Sequence, residues 1–344
     1  MKDGQFPEGY KSKLDFFETE ECIHDVKKHF QKALAGRLSL RRVSAPRFLF
    51  TGTGLQDDLA GTQVPVSFST VFSDRKVEIV HSLAKWKRFA LARYGFSPGT
   101  GLYTDMDAIR KDEIVSPIHS VYVDQWDWEK VIREEERSLD FLKSEVRKIH
   151  EALRDTEEFV HMKFPVLRTR LPEKITFIHT EELEKMYPDL SPSEREDMVT
   201  KKYGAVFIIG IGGRLRSGKP HDLRAADYDD WSTSTSPGFQ GLNGDIIVWD
   251  DIRSKALELS SMGIRVDPVS MKRQLEMLGL SERESLDFHK GVIDGSIPLS
   301  IGGGIGQSRI CMFLLQKAHI GEVQSSVWPE DVEKIFEKQG VVLL

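Results

Sequence analysis

Cysteine is almost missing from this 344-residue chain, with Cys22 and Cys311 the two present. Two thiols so far apart exclude a disulfide framework and read as reduced packing residues. Long apolar runs are missing too. Nothing approaches the ~18 residues of a membrane span, and the opening MKDGQFPEGYKSK has no apolar signal core. Both absences point to a cytoplasmic protein with no membrane partner. Positive charge is not in excess: 48 Lys and Arg stand against 54 Asp and Glu, a net charge of −6 with a pI near 6.0. A global basic field of the kind that holds nucleic acid is therefore excluded. What is present, 40% hydrophobic and 30% charged residues, is a globular composition.

Residues 1–13 are polar and read as a flexible amino-terminal extension, leaving 14–344 as one catalytic domain. Ile23, Val26, Phe30, Leu34 and Leu38 recur at helical spacing and predict a long amphipathic helix over 14–38. A short strand closed by Pro46 follows. VPVSFSTVF (64–72), VEIVHS (77–82), HSVYVDQWDWE (119–129), ITFIHT (175–180), AVFIIGIG (205–212), DIIVWD (245–250) and ALELSS with GIRV predict strands. Helices are expected over about 84–94, 129–158, 269–290 and 307–318. The irregular stretch 213–243 carries the charged string HDLRAADYDDW, and a long loop inside a compact domain points to function. The fold class is α/β in the α+β sense.

Two glycine-rich strings are decoys. GRLRSGKP (213–220) nearly matches a phosphate loop, but Pro220 replaces the magnesium-binding hydroxyl and removes a backbone donor. GGGIGQ (302–307) resembles a dinucleotide loop without its final glycine or a following acidic residue.

Other groups carry more chemistry. On the strand 119–129, a period of two puts Gln125 and Asp127 on one face and Asp124, Trp126 and Trp128 on the other. A carboxylate beside an amide suits a ligand ammonium. In HSLAKWKR, Ser82 ends a strand and Lys87 can hold a carboxylate; taken alone, Lys85, Lys87 and Arg88 read as a solvated helix face. Arg110, placed in a loop within GLYTDMDAIRKDE, is a candidate phosphate clamp. Asp245 and Glu258, on neighbouring strands, offer hard oxygen ligands for a metal bridged to phosphates. Arg265 follows Glu258 by seven residues. In IGGGIGQSR, glycines allow close approach of a flat ligand, and Arg309 emerges in a helical first turn. Together these are parts for adenylating a carboxylic acid.

The strings HSLAKWKR, GLYT, HSVYVDQWDWE, HDLRA-DYDDWST, GLNGDI-VW, ELSSMGIRVD and IGGGIGQSR resemble the ammonia-dependent asparagine synthetases, the bacterial aspartate–ammonia ligases. The likeness spans about residues 14–335. It implies a class II aminoacyl-tRNA synthetase-like domain with a mainly antiparallel six- to seven-stranded sheet flanked by helices, and a homodimer formed through the first helix and its Pro46 strand. ATP and Mg²⁺ would be the cofactors, and aspartate and ammonia the substrates. Arg110 would grip the α-phosphate and Arg309 the γ-phosphate, with Asp245 and Glu258 carrying magnesium. Ser261, Gly304 and Asp229 fall at nucleotide-binding positions. Ser82 and Asp127, aided by Gln125, would hold the backbone groups of aspartate, and Lys87 and Arg265 its side-chain carboxylate. Asp57 corresponds to the family aspartate beside the attacking nitrogen. Ala226 stands where the family has proline, which loosens the nucleotide loop.

Free ammonia is the expected nitrogen donor, because neither cysteine has a supporting dyad for glutamine hydrolysis. An aspartyl- or asparaginyl-tRNA synthetase remains as an alternative, although no anticodon-binding barrel is visible. So does a catalytically silent paralogue, although Arg110, Glu258 and Arg309 are intact.

Overall fold

The computed structural model describes residues 6–57, 59 and 63–344. From the amino end, helix α1 (Phe16–Leu38) leads to strands β1 (Leu40–Arg42), β2 (Phe48–Phe50), β3 (Ser67–Thr70) and β4 (Ser73–Ile79), then helix α2 (Ala84–Arg93). Strands β5 (Gly101–Ile109) and β6 (Tyr122–Val131) precede helix α3 (Leu139–Lys163), strand β7 (Thr176–His179), helices α4 (Thr180–Met186) and α5 (Pro192–Tyr203), and strand β8 (Ala205–Ile209). The remainder holds β9 (Ser234–Ser236), β10 (Phe239–Gln240), β11 (Asn243–Asp250), β12 (Lys255–Ile264), α6 (Pro268–Met277), α7 (Asp287–Ile293), β13 (Ser300–Gly306), α8 (Gln307–Leu314) and α9 (Glu330–Gln339).

The main sheet runs in the order β1-β5-β6-β13-β12-β11-β8-β7. It has eight strands rather than the expected six or seven. The six inner strands are antiparallel neighbours, while each edge strand pairs in parallel. At one edge, α4 and α5 bridge β7 to β8, the helical crossover that parallel pairing needs. Both edge strands fall within segments expected as strands, the one closed by Pro46 and ITFIHT.

Helix α1 begins on a capping box, with the Asp15 side chain accepting from the Glu18 amide and Glu18 reaching back. Its buried stripe of Cys22, Val26, Phe30, Leu34 and Leu38 packs with α3 and with Trp126 and Trp128 of β6. Phe30 lies 4.7 Å from the Trp126 ring. Burying each such side chain contributes about 2 kcal/mol. These helices cover one face of the sheet, so the alternate residues of β6 point the other way. Residues 6–13 rest on the carboxyl-terminal segment: Phe6 packs edge-on against Phe336, and the Tyr10 hydroxyl donates to Glu322 at 2.8 Å.

Four local expectations are corrected. Lys85, Lys87 and Arg88 are buried rather than solvated, because α2 lies between the sheet, where Asp127 and Gly303 accept from Lys87, and Asp227, Val266 and Pro298, which accept from Lys85 and Arg88. Residues 101–109 form a buried inner strand, so Arg110 stands at a strand end. The third long helix starts at Leu139, because β6 runs on to Val131 and a 3-10 turn intervenes. The helix expected over 269–290 is broken into α6 and α7 by a turn that includes Gly279. No helix among the described residues is long and apolar enough to cross a membrane.

Candidate active site

On the sheet face away from α1 and α3 lies a cavity of about 400 Å³. The strand register explains its floor. Asp127 of β6 pairs with Gly304 of β13, Gly304 with Ser261 of β12, and Ser261 with Asp245 of β11. One row across four strands thus carries carboxylate, glycine, hydroxyl and carboxylate. Glu258 joins this face through a bulge: Ile246 pairs with Ser260, but Ile247 pairs with Glu258. That slip turns Glu258 toward the cavity, which regular alternation from Ser261 would not do. The glycines leave the floor bare. A Cβ on Gly304 would sit 2.4 Å from Gln125 Oε1, and one on Gly302 1.9 Å from Glu129 Oε2.

Of the residues singled out from the sequence, Asp57, Ser82, Lys87, Arg110, Gln125, Asp127, Asp229, Glu258, Ser261, Arg265, Gly304 and Arg309 line this single cavity. Asp245 does not. It is buried beneath Arg224, whose Nη2 contacts Asp245 Oδ2. Burial raises the Asp245 carboxyl, Arg224 opposes the rise and Glu258 adds to it.

The cations of the cavity are paired internally. Lys87 Nζ donates to Asp127 Oδ1 at 2.9 Å and to the Gly303 carbonyl at 2.7 Å. Arg265 is clasped by Glu129, with Nη2 to Oε2 at 2.9 Å and Nε to Oε1 at 3.0 Å, and by Asp229. Burial raises the Asp229 carboxyl, against the pull of Arg265 and Arg224. Arg309 donates to the Glu258 carbonyl at 3.1 Å and approaches its carboxylate at 3.4 Å. Arg110 donates to the His81 carbonyl through Nε and Nη2, both at 3.3 Å. Next to His81, Ser82 Oγ donates to Asp57 Oδ2 at 2.5 Å, and the Leu59 amide donates to Oδ1 at 2.8 Å.

Four lining or supporting residues were not singled out from the sequence. Glu129 is the next residue on the Gln125–Asp127 face, so the same alternation points to it. Arg224 and Tyr228 sit in the charged loop whose length had marked it as functional. Burial, then Asp57 and Asp229, raise the Tyr228 hydroxyl and keep it protonated. His119 carries no sequence signal; burial and the nearby Arg309 push it down to about 4. Both thiols are buried, and burial pushes Cys22 up to about 12 and Cys311 higher.

A family model for aspartate-ammonia ligase matches residues 17–340. The curated aspartate--ammonia ligases of Parabacteroides distasonis and Clostridium perfringens (strain ATCC 13124) are each 53% identical over 339 residues, covering 98% of both chains. That of Bacteroides thetaiotaomicron is 52% identical over the same share. Among solved structures, asparaginyl-tRNA synthetase from Pyrococcus horikoshii, complexed with asparaginyl-adenylate, superposes with a TM-score of 0.68 at 15% identity, covering 90% of this chain and 70% of that chain. A putative aspartyl-tRNA synthetase from Leishmania major superposes at 0.61, with 15% identity, 92% of this chain and 69% of that chain. At such identities the likeness concerns the fold, which is the class II synthetase architecture expected from the sequence. Matched along nearly its whole length at half identity, the chain belongs to the aspartate–ammonia ligase family.

Proposed function

We propose that the protein is a carbon–nitrogen ligase that makes asparagine from aspartate and ammonia through a β-aspartyl-adenylate, converting ATP to AMP and pyrophosphate. The observation that carries this reading is the convergence of carboxylate-binding and phosphate-binding cations on one bare glycine floor, in a chain of this family. Lys87 and Arg265 receive the substrate side-chain carboxylate. Asp127, Ser82 and Gln125 hold its backbone ammonium and carboxylate. Arg110 takes the α-phosphate and Arg309 the γ-phosphate, with Ser261, Gly304 and Asp229 shaping the nucleotide corner. Positioning and charge neutralisation lower the barrier as the carboxylate attacks phosphorus.

Mg²⁺ fits the same corner. Asp245 has a buried Oδ1 without a hydrogen-bond partner, and Glu258 lies within its electrostatic reach. Two carboxylates completed by phosphate oxygens are a usual magnesium shell. When bound, the ion neutralises charge on the phosphates. Asp57, which accepts a hydrogen bond from Ser82, takes the proton from the attacking nitrogen in this reading. Two buried thiols with raised pKa suit an enzyme that takes free ammonia rather than glutamine. The same reading includes a cytoplasmic homodimer, for which the exposed Phe16 and Phe17 of α1 and Phe48 of β2 offer apolar surface.

The test is direct. Incubation with aspartate, Mg·ATP and either ammonium or glutamine should give asparagine and AMP with ammonium, and neither product at a comparable rate with glutamine. Charging of tRNA with no asparagine formed would overturn the reading.

A further inference from the structure

Arg224 is built into the wall in an unusual way. Its stem is packed tightly: a Cβ on Gly212 would lie 2.9 Å from Arg224 Cβ and 2.9 Å from Trp231 Cγ. Gly212 has φ +108°, a conformation that also favours glycine. The backbone therefore closes down on the arginine and fixes where its chain enters. The guanidinium end is held differently. Nη2 rests on Asp245 Oδ2 and Nη1 on Asp222 Oδ2 at 3.0 Å, but the Asp222 side chain is 66% exposed and is a weak anchor. Nε of Arg224 and Oδ1 of Asp245 are both buried without a hydrogen-bond partner. Each member of this buried pair thus keeps an unused valence, which is costly in a purely structural clasp.

The location gives that arrangement a meaning. Arg224 lines the cavity beside Glu258, Ser261 and Arg309, the corner assigned above to phosphates and a divalent cation. A cation that takes Asp245 through the free Oδ1 meets the guanidinium charge already on Oδ2, and the repulsion between the two favours release of the arginine. A released guanidinium on a fixed stem, facing the cavity, is a planar donor suited to phosphate oxygens.

We propose that Arg224 is a resident counter-ion: it occupies Asp245 while the cavity is empty, and passes to a nucleotide phosphate when the metal takes that carboxylate. This inference rests on the reading of the cavity as a Mg·ATP site. It couples the two ligands. Metal alone must compete with Arg224 for Asp245, whereas metal arriving with nucleotide provides the arginine with a new partner. Each ligand then binds better in the presence of the other.

Two measurements test it. The first is a crystal structure of the wild-type protein with Mg²⁺ and α,β-methylene-ATP. The guanidinium is expected on a phosphate oxygen and off Asp245; an arginine still on Asp245 overturns the proposal. The second is Mn²⁺ titration followed by electron paramagnetic resonance. Without nucleotide, Arg224→Gln should bind Mn²⁺ about tenfold more tightly than wild type, and with α,β-methylene-ATP about tenfold less tightly, a reversal on the scale of one charged hydrogen bond each way. Shifts of the same sign in both conditions overturn it. Aspartate-dependent ATP–pyrophosphate exchange by the wild type separates the two levels: no exchange removes the ligase reading, whereas normal exchange with an unmoved Arg224 removes this inference alone.

Discussion

Gly302 and Gly304 lie two residues apart on one strand and one face, yet a methyl group at each should have different consequences. At Gly302 the added carbon would meet Glu129 Oε2 at 1.9 Å, its Cδ at 2.5 Å and the Trp128 carbonyl at 2.6 Å. The carboxylate must retreat by about 1 Å, beyond the tolerance of a close-packed interior, and that separates it from Arg265. Both partners are buried, with side-chain exposures of 0% and 2%. Breaking such a pair costs about 3–5 kcal/mol, and the lower figure applies because Asp229 keeps its hold on Arg265. At about 2 °C per kcal/mol for a large domain, Gly302→Ala should lower Tm by about 6 °C. At Gly304 the methyl group meets the Gln125 amide at 2.4 Å and Asp127 Oδ1 at 3.0 Å. The amide tip can swing into the open cavity, so Gly304→Ala should cost under about 1 kcal/mol of stability. It fills the floor instead, and kcat/KM for ATP should fall about tenfold or more. Differential scanning calorimetry of the ligand-free proteins, with steady-state kinetics, checks both halves. Equal Tm values for the two variants, or a larger loss at Gly304, would refute the reasoning.

Two further outcomes follow from the same geometry. Asp57→Ala should keep aspartate-dependent ATP–pyrophosphate exchange within a few-fold of wild type while asparagine formation falls about 10²-fold, the scale of one general base; unchanged asparagine output would remove Asp57 from the nitrogen step. His150 on α3 is buried with Nε2 unpartnered, and burial pushes it down to about 4. The unfolded chain therefore binds its proton near pH 6.5 while the folded one resists to about 4, so the His150 contribution is intact above pH 6.5 and is lost as pH falls through 4. Urea titrations of His150→Leu should show a shallower acid limb, by an amount approaching about 3 kcal/mol at pH 4, and parallel curves would show that burial does not hold this imidazole neutral.

Much of the frame could be read from periodicity. The stripe on α1 and the alternation of β6 are local signals, and both appear in the structure where the sequence places them. Gln125 and Asp127 face the cavity while Trp126 and Trp128 face the core, as a period of two requires. What could not be read depends on partners distant in sequence. Lys85 is buried because Asp227 meets it at 3.0 Å from 142 residues away, and Arg88 because the Val266 and Pro298 carbonyls accept from it. A charged helix face gives no local hint of such company. The segment 101–109 mixes two aspartates into its apolar run and so disguises an inner strand. Glu258 reaches the cavity through a one-residue slip that no spacing rule anticipates. The parallel edges depend on how β1 and β7 return to the sheet, again a long-range matter.

The internal pairing of the cavity cations has a consequence for how substrates enter. Ligand anions meet Lys87, Arg265 and Arg224 already held by carboxylates, and Arg110 held by a backbone carbonyl, so entry is an exchange of partners rather than the filling of a bare positive hole. The favourable part of binding is then the small difference between two sets of contacts, and shape decides more of it than charge. A lone anion that detaches one cation strands the carboxylate left behind in a dry wall. A ligand set that carries its own positive groups, an α-ammonium or a divalent ion, leaves none stranded, which favours joint occupancy of the two halves of the pocket over either half alone.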